Sequence, residues 1–206
     1  MPRSGLNTEL VVDAAARLAD AEGLENLTLK RLADALDVRP PSLFSHVEGL
    51  ADLRRQLQLR ALREMAARCG RAAIGRAGDE AVLAAATAAR DFAREHPGLY
   101  AASLGAPPAG DRELNEAAAQ FIGIFFDAMR QYGFQRSDAV HAVRGLFSTV
   151  HGFIMLERAG TFAMPVDVDE SFRWLIDRYI AALHLSSTRP LKNVRRGHTA
   201  RTGVRQ

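Results

Sequence analysis

Residues 27–53 read LTLKRLADALDVRPPSLFSHVEGLADL, and this stretch encodes two short helices joined by a tight turn. Thr28 can cap the first helix because its hydroxyl can accept a hydrogen bond from a free backbone N–H. Leucines and alanines then repeat every three or four residues, as on one face of a helix. The second helix opens with two prolines, of which Pro40 is predicted to be the extended N-cap and Pro41 the first helical residue.

The second of these helices has an apolar side and a polar side. Leu43 and Val47 are predicted to face inward. The outward side carries five residues: Arg39, Ser42, Phe44, Ser45 and His46. A helix with such an outer surface can enter the major groove of DNA.

This order of residues resembles the helix-turn-helix of the TetR family of bacterial transcription regulators. The resemblance is carried by Thr28, Leu32, Ala33, Leu36, Val38, Ser42, Leu43, Phe44, His46, Val47 and Leu53. Three positions depart from the family's pattern, because Asp37 replaces a Gly, Phe44 a Tyr and Leu50 a Lys. The last two changes remove groups that contact phosphates in the family. A left-handed conformation at Asp37 would cost roughly 1 kcal/mol.

The motif predicts a set of DNA-contacting residues: Thr28, Lys30, Arg39, Pro41, Ser42, Phe44 and His46. Lys30 and Arg39 are the cations near the presumed base edges, where they can donate hydrogen bonds to guanine O6 and N7. Pro41 can touch a thymine methyl group, and Ser42 can donate or accept. His46 has two interpretations: the family match favours a phosphate contact, and the alternative is a helix-end residue that caps its own carbonyl groups.

No segment shows the alternation that is typical of a β-strand, and the chain is predicted to be all-α. We expect an N-terminal three-helix helix-turn-helix head that is joined by a long helix to a helical bundle. The predicted domains are a DNA-binding head (residues 1–50), a ligand-binding and dimerisation body (51–185) and a basic, disordered tail (186–206). The tail holds six cations and no acids, so it either attracts phosphates or only keeps the chain in solution.

Capping and helix-breaking residues predict the helix ends. Asn7 is expected to cap the first helix, Pro97 to break the chain before residue 99, and Ser137 to cap a long apolar helix. The predicted helices of the body run over about 50–69, 79–95, 99–104, 112–132, 137–158 and from 169 or 170 onward.

Two segments of the body, RGLFSTVHGFIMLERAG (144–160) and SFRWLIDRYIAAL (171–183), resemble a TetR-family C-terminal domain that is named for a Trp-His-Gly motif. This chain has Val150 in place of the Trp. The resemblance implies that the last two long helices pair with their copies in a second subunit and that the middle helices enclose a small molecule. The apolar residues on nearly every side of helix 137–158 also predict a homodimer, with Phe153 and Ile176 in its interface.

We predict that Phe121, Phe125 and His151 bind a small apolar or aromatic effector. The helix that carries the two phenylalanines is aromatic over a wider arc than one packing contact requires, and His151 interrupts an apolar helix. The alternative is that the aromatic residues are ordinary core. Three further residues could supply polar groups to the pocket: His96, Gln120 and Arg144.

The sequence offers no convincing site for catalysis, a metal or a cofactor. His141 and His151 lie ten residues apart on one helix and do not share a face, and no phosphate-binding loop, HExxH, GxSxG or CxxC pattern occurs. The single cysteine, Cys69, excludes an intrachain disulfide. No apolar run approaches about 18 residues and the N-terminus lacks a signal peptide, so we predict a cytoplasmic protein with no membrane partner.

These observations favour a sequence-specific DNA-binding transcription regulator, a repressor that a small-molecule effector releases from its operator. The alternative is a helical dimerisation or adaptor protein with a degenerate helix-turn-helix. It is suggested by the phosphate partners lost at Phe44 and Leu50 and by the near-neutral charge of residues 1–60, which hold eight Lys and Arg against nine Asp and Glu.

Overall fold

The computed structural model describes residues 5–187, which form helices and connecting turns without a strand. Eight α-helices follow one another in this part of the chain: α1 Thr8–Glu22, α2 Leu29–Ala35, α3 Leu50–Ala73, α4 Gly78–Glu95, α5 Pro97–Ser103, α6 Arg112–Met129, α7 Arg136–Arg158 and α8 Val168–Ser187. Short 3-10 helices cover Leu24–Asn26, Pro40–Ser45 and Arg130–Tyr132. The all-α prediction is confirmed. Residues 188–206 of the predicted tail lie outside the described residues.

The first two helices of the head, α1 and α2, are capped by the residues that the sequence predicts. The Asn7 side chain accepts a hydrogen bond from the Leu10 amide at 2.8 Å and caps α1. The Thr28 hydroxyl accepts one from the Arg31 amide at 3.2 Å and caps α2. Four buried residues of the motif fill the core between these helices and α3: Leu32, Leu43, Val47 and Leu53.

The second motif helix differs from its prediction. It is a 3-10 helix that begins at Pro40, and Arg39 is the extended N-cap with φ −78° and ψ 142°. Pro40 itself can be helical because proline at the first two positions gives up N–H groups that have no helical acceptor. Asp37 ends the preceding turn with φ +53°, the left-handed conformation expected where relatives carry Gly.

Several helix ends in the body also differ from the prediction. Pro97 begins α5 instead of breaking the chain before residue 99, because proline suits a first helical turn. α7 begins at Arg136 without a side-chain cap, so Ser137 is not its cap. α8 begins at Val168, and the Asp167 side chain caps it by accepting a hydrogen bond from the Glu170 amide at 2.8 Å.

One hydrophobic core runs from the head into the body. α3 crosses from one to the other and packs against α4, α5 and α6. The head helix α1 also touches α5 closely: a Cβ atom at Gly98 would lie only 2.2 Å from the carbonyl carbon of Ala19. Only glycine permits this approach, and it places α5 directly against the head.

The outer faces of α7 and α8 are apolar in part. Phe153 and Ile176, which we predicted in a dimer interface, are instead buried within the chain, where Phe153 packs against Phe172 at 5.1 Å between ring centroids. Other apolar residues remain exposed on α7, α8 and the loop between them: Met155, Leu156, Phe162, Met164, Val166 and Trp174. On α7 apolar residues cover nearly every side, so helical period alone does not separate the buried Phe153 from the exposed Met155 and Leu156.

α7 is long and apolar enough to meet a length-and-composition criterion for a membrane span, with a mean hydropathy of 1.3. It nevertheless packs against α4, α6 and α8, and an exposed arginine, Arg144, lies in its middle. Only 28% of its most apolar window is buried within the chain.

Candidate DNA-binding surface and ligand cavity

The predicted DNA-contacting residues lie together on the outside of the head. Lys30 is exposed on α2, next to its cap residue Thr28. Pro41, Ser42 and Phe44 are exposed on the 3-10 helix, where Phe44 keeps 59% of its surface accessible. The side that faces away from them is held by the fully buried Leu43. The motif therefore presents one continuous outer surface built from two short helices.

The cations of this surface have no partner within residues 5–187. The side chains of Lys30 and Arg39 form neither an ion pair nor a hydrogen bond there, so their charges are available to another molecule. Arg31 is different, because it pairs with Glu22 at 2.5 Å. Lys30 and Arg39 are therefore exposed and unpaired within residues 5–187, whereas the exposed Arg31 is paired.

The position of His46 bears on its two interpretations. Its imidazole makes no hydrogen bond to any residue in the described part of the chain, so it does not cap its own helix there. Its backbone carbonyl instead accepts a hydrogen bond from the Thr8 hydroxyl at 3.4 Å, which ties the end of the motif to α1. The ring is half-buried and keeps both nitrogen atoms available.

A cavity of about 520 Å³ lies in the body among α3, α4, α5, α6 and α7. This volume falls within the range of small-molecule sites. Phe121, Phe125 and His151 all belong to its lining, so the structure brings the three predicted ligand-binding residues together. The loop after α5 closes one side with residues 104–107.

The polar groups of the cavity are few. Tyr100 Oη lies 2.9 Å from His151 Nδ1, within hydrogen-bond distance. Burial raises the pKa of Tyr100 to about 12, so its phenol is neutral at neutral pH. Ser103 also lines the cavity, but its hydroxyl donates to the Tyr100 carbonyl oxygen at 2.7 Å. The fourth polar lining residue is Ser148.

The other polar candidates lie elsewhere. His96 is not in the lining; its Nδ1 is 3.1 Å from an Asp20 carboxylate oxygen at the boundary with the head. Gln120 and Arg144 are exposed and outside the lining. A helical wheel shows only that these residues are polar, because the direction of each side chain relative to the cavity depends on how the helices cross.

Sequence reasoning missed Phe147, whose ring lies 4.9 Å from that of Phe125 and 5.5 Å from that of Phe121. A signal existed, because Phe147 precedes His151 by four residues and therefore shares its helix face. The loop at residues 104–107 carried no such signal, since a loop's position depends on the helices that it joins.

Asp20 connects the head to the cavity. From α1, its Oδ1 accepts hydrogen bonds from the amides of Gly98 at 2.7 Å and Leu99 at 3.1 Å. These amides lie in the first turn of α5, where helices have free N–H groups. Tyr100 follows one residue later. One carboxylate of the head thus holds the helix that supplies the cavity's tyrosine.

A second connection joins α3 to the start of α6. Arg55 Nε donates to Asp111 at 2.5 Å, and Arg55 also pairs with Glu113 at 3.0 Å. The hydrogen bond from Arg55 holds the pKa of each carboxyl group below its usual range. α6 carries Phe121 and Phe125, so this ion pair contributes to the placement of the cavity's aromatic wall beside α3.

Comparison with known proteins identifies relatives of both parts of the chain. A family model described as "Tetracyclin repressor-like, C-terminal domain" matches residues 82–179. The chain is 34% identical over 187 residues to the uncharacterized HTH-type transcriptional regulator YobS of Bacillus subtilis, covering 90% of this chain and 97% of that protein. It is also 34% identical over 188 residues to the uncharacterized HTH-type transcriptional regulator Rv0681 of Mycobacterium tuberculosis, covering 89% and 84%.

A solved structure shares the fold. A TetR variant from Acinetobacter baumannii AYE in complex with minocycline matches with a TM-score of 0.68 at 21% identity, over 89% of this chain and 99% of that one. The matched region contains the first body segment and residues 171–179 of the second, and the two full-length relatives extend the match through the motif. The chain therefore belongs to the TetR family of helix-turn-helix, DNA-binding transcriptional regulators.

Proposed function

We propose that this regulator is a homodimeric repressor in the cytoplasm, and that a small apolar or aromatic effector releases it from a pseudo-palindromic operator. One observation carries the proposal: α5 contributes Tyr100 to the cavity while its first turn is held by Asp20 of the head. A molecule that displaces α5 must therefore disturb the hydrogen bonds that position α1. The helix-turn-helix surface packs on α1.

The exposed apolar residues of α7 and α8 support the dimer. Trp174 is 63% exposed and Met155 44% exposed, and both lie on the two helices that pair between subunits in the family. Soluble monomers rarely expose a large apolar patch. A two-fold dimer would cover it and place two motifs on successive major grooves, about 34 to 36 Å apart.

The proposed DNA contacts are Thr28, Lys30, Arg39, Pro41, Ser42, Phe44 and His46. Replacing Lys30 or Arg39 with Gln should weaken specific operator binding by roughly 5- to 150-fold, because a base contact contributes about 1 to 3 kcal/mol. Gel shift against the gene's own upstream DNA, at several salt concentrations, measures this loss. Arg136→Gln is the matched control, since it removes an exposed cation from α7, far along the chain from the head.

The same measurement tests the alternative function. The exposed Phe44 lacks the hydroxyl that contacts phosphate in relatives, which favours an adaptor with a degenerate motif. A repressor should bind its operator better than scrambled DNA and lose affinity steeply with salt, since phosphate contacts release counterions. Equal binding of both DNAs at physiological salt would instead support the adaptor.

Asp20→Ala should uncouple the effector from the operator. The variant loses the carboxylate that caps α5, so an effector that moves α5 no longer moves α1. The factor by which effector weakens DNA binding, roughly 5- to 150-fold in coupled systems, should fall toward one, while effector affinity remains within a few fold. Asp20→Asn, which keeps an acceptor oxygen, should retain part of the coupling. Unchanged coupling in Asp20→Ala would reject this route.

A further inference from the structure

The lining of the cavity limits the charge of its ligand. Among the described residues that form it there is no Lys, Arg, Asp or Glu. The four polar side chains of the lining carry a phenol, two hydroxyl groups and an imidazole: Tyr100, Ser103, Ser148 and His151. An ionised group placed in this cavity would lose its hydration without gaining a partner, which is costly. The cavity therefore selects against anions.

Arg158 is a cation whose charge acts on the cavity residue Tyr100. It is close enough to Tyr100 to oppose, through its charge, the rise in the pKa of that phenol. Its guanidinium, however, is exposed, donates a hydrogen bond to the Pro97 carbonyl oxygen at 3.3 Å and is not in the lining. It does not supply the counter-charge that a buried carboxylate would require.

The pair formed by Tyr100 and His151 always leaves a donor hydrogen free. If the phenol donates to Nδ1, the neutral imidazole carries its hydrogen on Nε2, which bonds to no other described residue. If Nδ1–H donates to the phenol oxygen, the phenol hydrogen is free. In each arrangement, a ligand with an acceptor oxygen can be bound.

The aromatic wall adds a preference for shape. Phe121 and Phe125 meet nearly edge to face at 85°, and Phe147 meets Phe121 at 77°. Rings arranged in this way expose both edges and faces. A flat aromatic ligand can stack on the face of one ring and make an edge-to-face contact with another. Small residues of α4, Ala86 and Ala89, leave room opposite this wall.

We propose that the molecule that occupies this cavity is an uncharged aromatic compound with one hydrogen-bond acceptor, such as a ketone oxygen, which receives a hydrogen from the Tyr100 and His151 pair. This proposal rests on the ligand-responsive function proposed above and narrows the ligand to a chemical class. Tyr100 and His151 then determine specificity, and the three phenylalanines supply most of the binding surface.

Three probes of one shape test the proposal: fluorene, 9-fluorenone and fluorene-9-carboxylate, each titrated calorimetrically into the dimeric protein without DNA. We expect 9-fluorenone to bind roughly 3- to 12-fold more tightly than fluorene, the range of one net hydrogen bond. The carboxylate should bind at least about tenfold more weakly than the ketone. Equal affinity for ketone and hydrocarbon, a carboxylate as tight as the ketone, or no binding of any probe would overturn the proposal.

Variants assign the hydrogen bond. Tyr100→Phe and His151→Phe should each keep some preference for the ketone, because each leaves one donor, whereas the double variant should bind ketone and fluorene alike. If the double variant binds fluorene as tightly as the wild-type protein does, its cavity is intact. If the double variant does not fold, the comparison of the three probes on the wild-type protein still tests the proposal. A preference that is lost in Ser148→Ala, or kept in the double variant, would contradict the assignment.

The same probes separate this proposal from the function on which it rests. If 9-fluorenone binds with the expected preference but leaves operator affinity unchanged in gel shift, the ligand class holds and the effector-release function fails. If the carboxylate binds best and releases the operator, the function holds and the ligand class is wrong.

Discussion

Trp174→Asp is expected to convert the protein to a monomer and to lower its operator affinity by roughly 10²- to 10⁴-fold. Trp174 is 63% exposed on α8, so a carboxylate there should leave the fold of the chain intact. In a dimer interface the same carboxylate would be buried without a partner. Operator affinity falls with the dimer because two linked motifs bind far more tightly than one.

Sedimentation and gel shift at matched protein concentrations measure the two effects. Ile74→Asp is the matched control: Ile74 is 73% exposed after α3, outside the surface formed by α7 and α8, and should leave mass and affinity unchanged. Phe153→Asp and Ile176→Asp are unsuitable, since both residues are buried and would unfold the protomer. A monomeric wild-type protein at micromolar concentration would disprove the dimer.

Arg90→Met is expected to lower the free energy of unfolding by roughly 3 to 5 kcal/mol. Arg90 on α4 is 3% exposed and pairs with Glu157 of α7 at 2.6 Å and Asp169 of α8 at 2.8 Å. Its guanidinium also lies over the rings of Phe172 and Phe153, at 4.8 and 5.2 Å. Removing it leaves the nearly buried Glu157 without this partner and removes the ion pairs that join α4 to α7 and α8.

Thermal unfolding measures this loss, which should lower Tm by roughly 6 to 20 °C for a chain of this size. Arg94→Met is the control, because Arg94 is 49% exposed and its ion pairs should contribute no more than about 1 kcal/mol. Arg90→Met with Glu157→Gln should recover part of the stability, since the double variant no longer leaves that carboxylate unpaired. If the Tm of Arg90→Met lies within about 2 °C of the wild-type Tm, instead of about 6 °C or more below it, Arg90 does not stabilise the fold as expected.

Arg90 also affects how the stability of the start of α8 depends on pH. Its hydrogen bond to Asp169 holds the pKa of that carboxyl below the usual value of 3.8. A carboxyl whose pKa is depressed on folding contributes stability above its unfolded pKa and loses that contribution as pH falls through the folded value. The contact therefore contributes its full stabilisation at neutral pH.

The sequence alone determined the first two helices of the head. Asn7 and Thr28 cap helices whose apolar residues recur every three or four positions, and all of these groups lie within one or two turns of each other. Such signals are local, so the first helices could be predicted residue by residue. Tertiary packing decided the form of the second motif helix, because the buried Leu43 and Val47 hold a 3-10 segment that begins one residue early.

The cavity and the apolar outer surface depended on tertiary structure. An excess of aromatic residues pointed to Phe121 and Phe125, but the pairing of Tyr100 with His151 joins residues 51 positions apart. Likewise, the sequence marked Phe153 and Met155 of α7 equally as apolar, and only the packing of the helices buried one and exposed the other. Helical periodicity shows which residues are apolar, whereas the packing of the whole chain determines which of these residues are buried and against which surface.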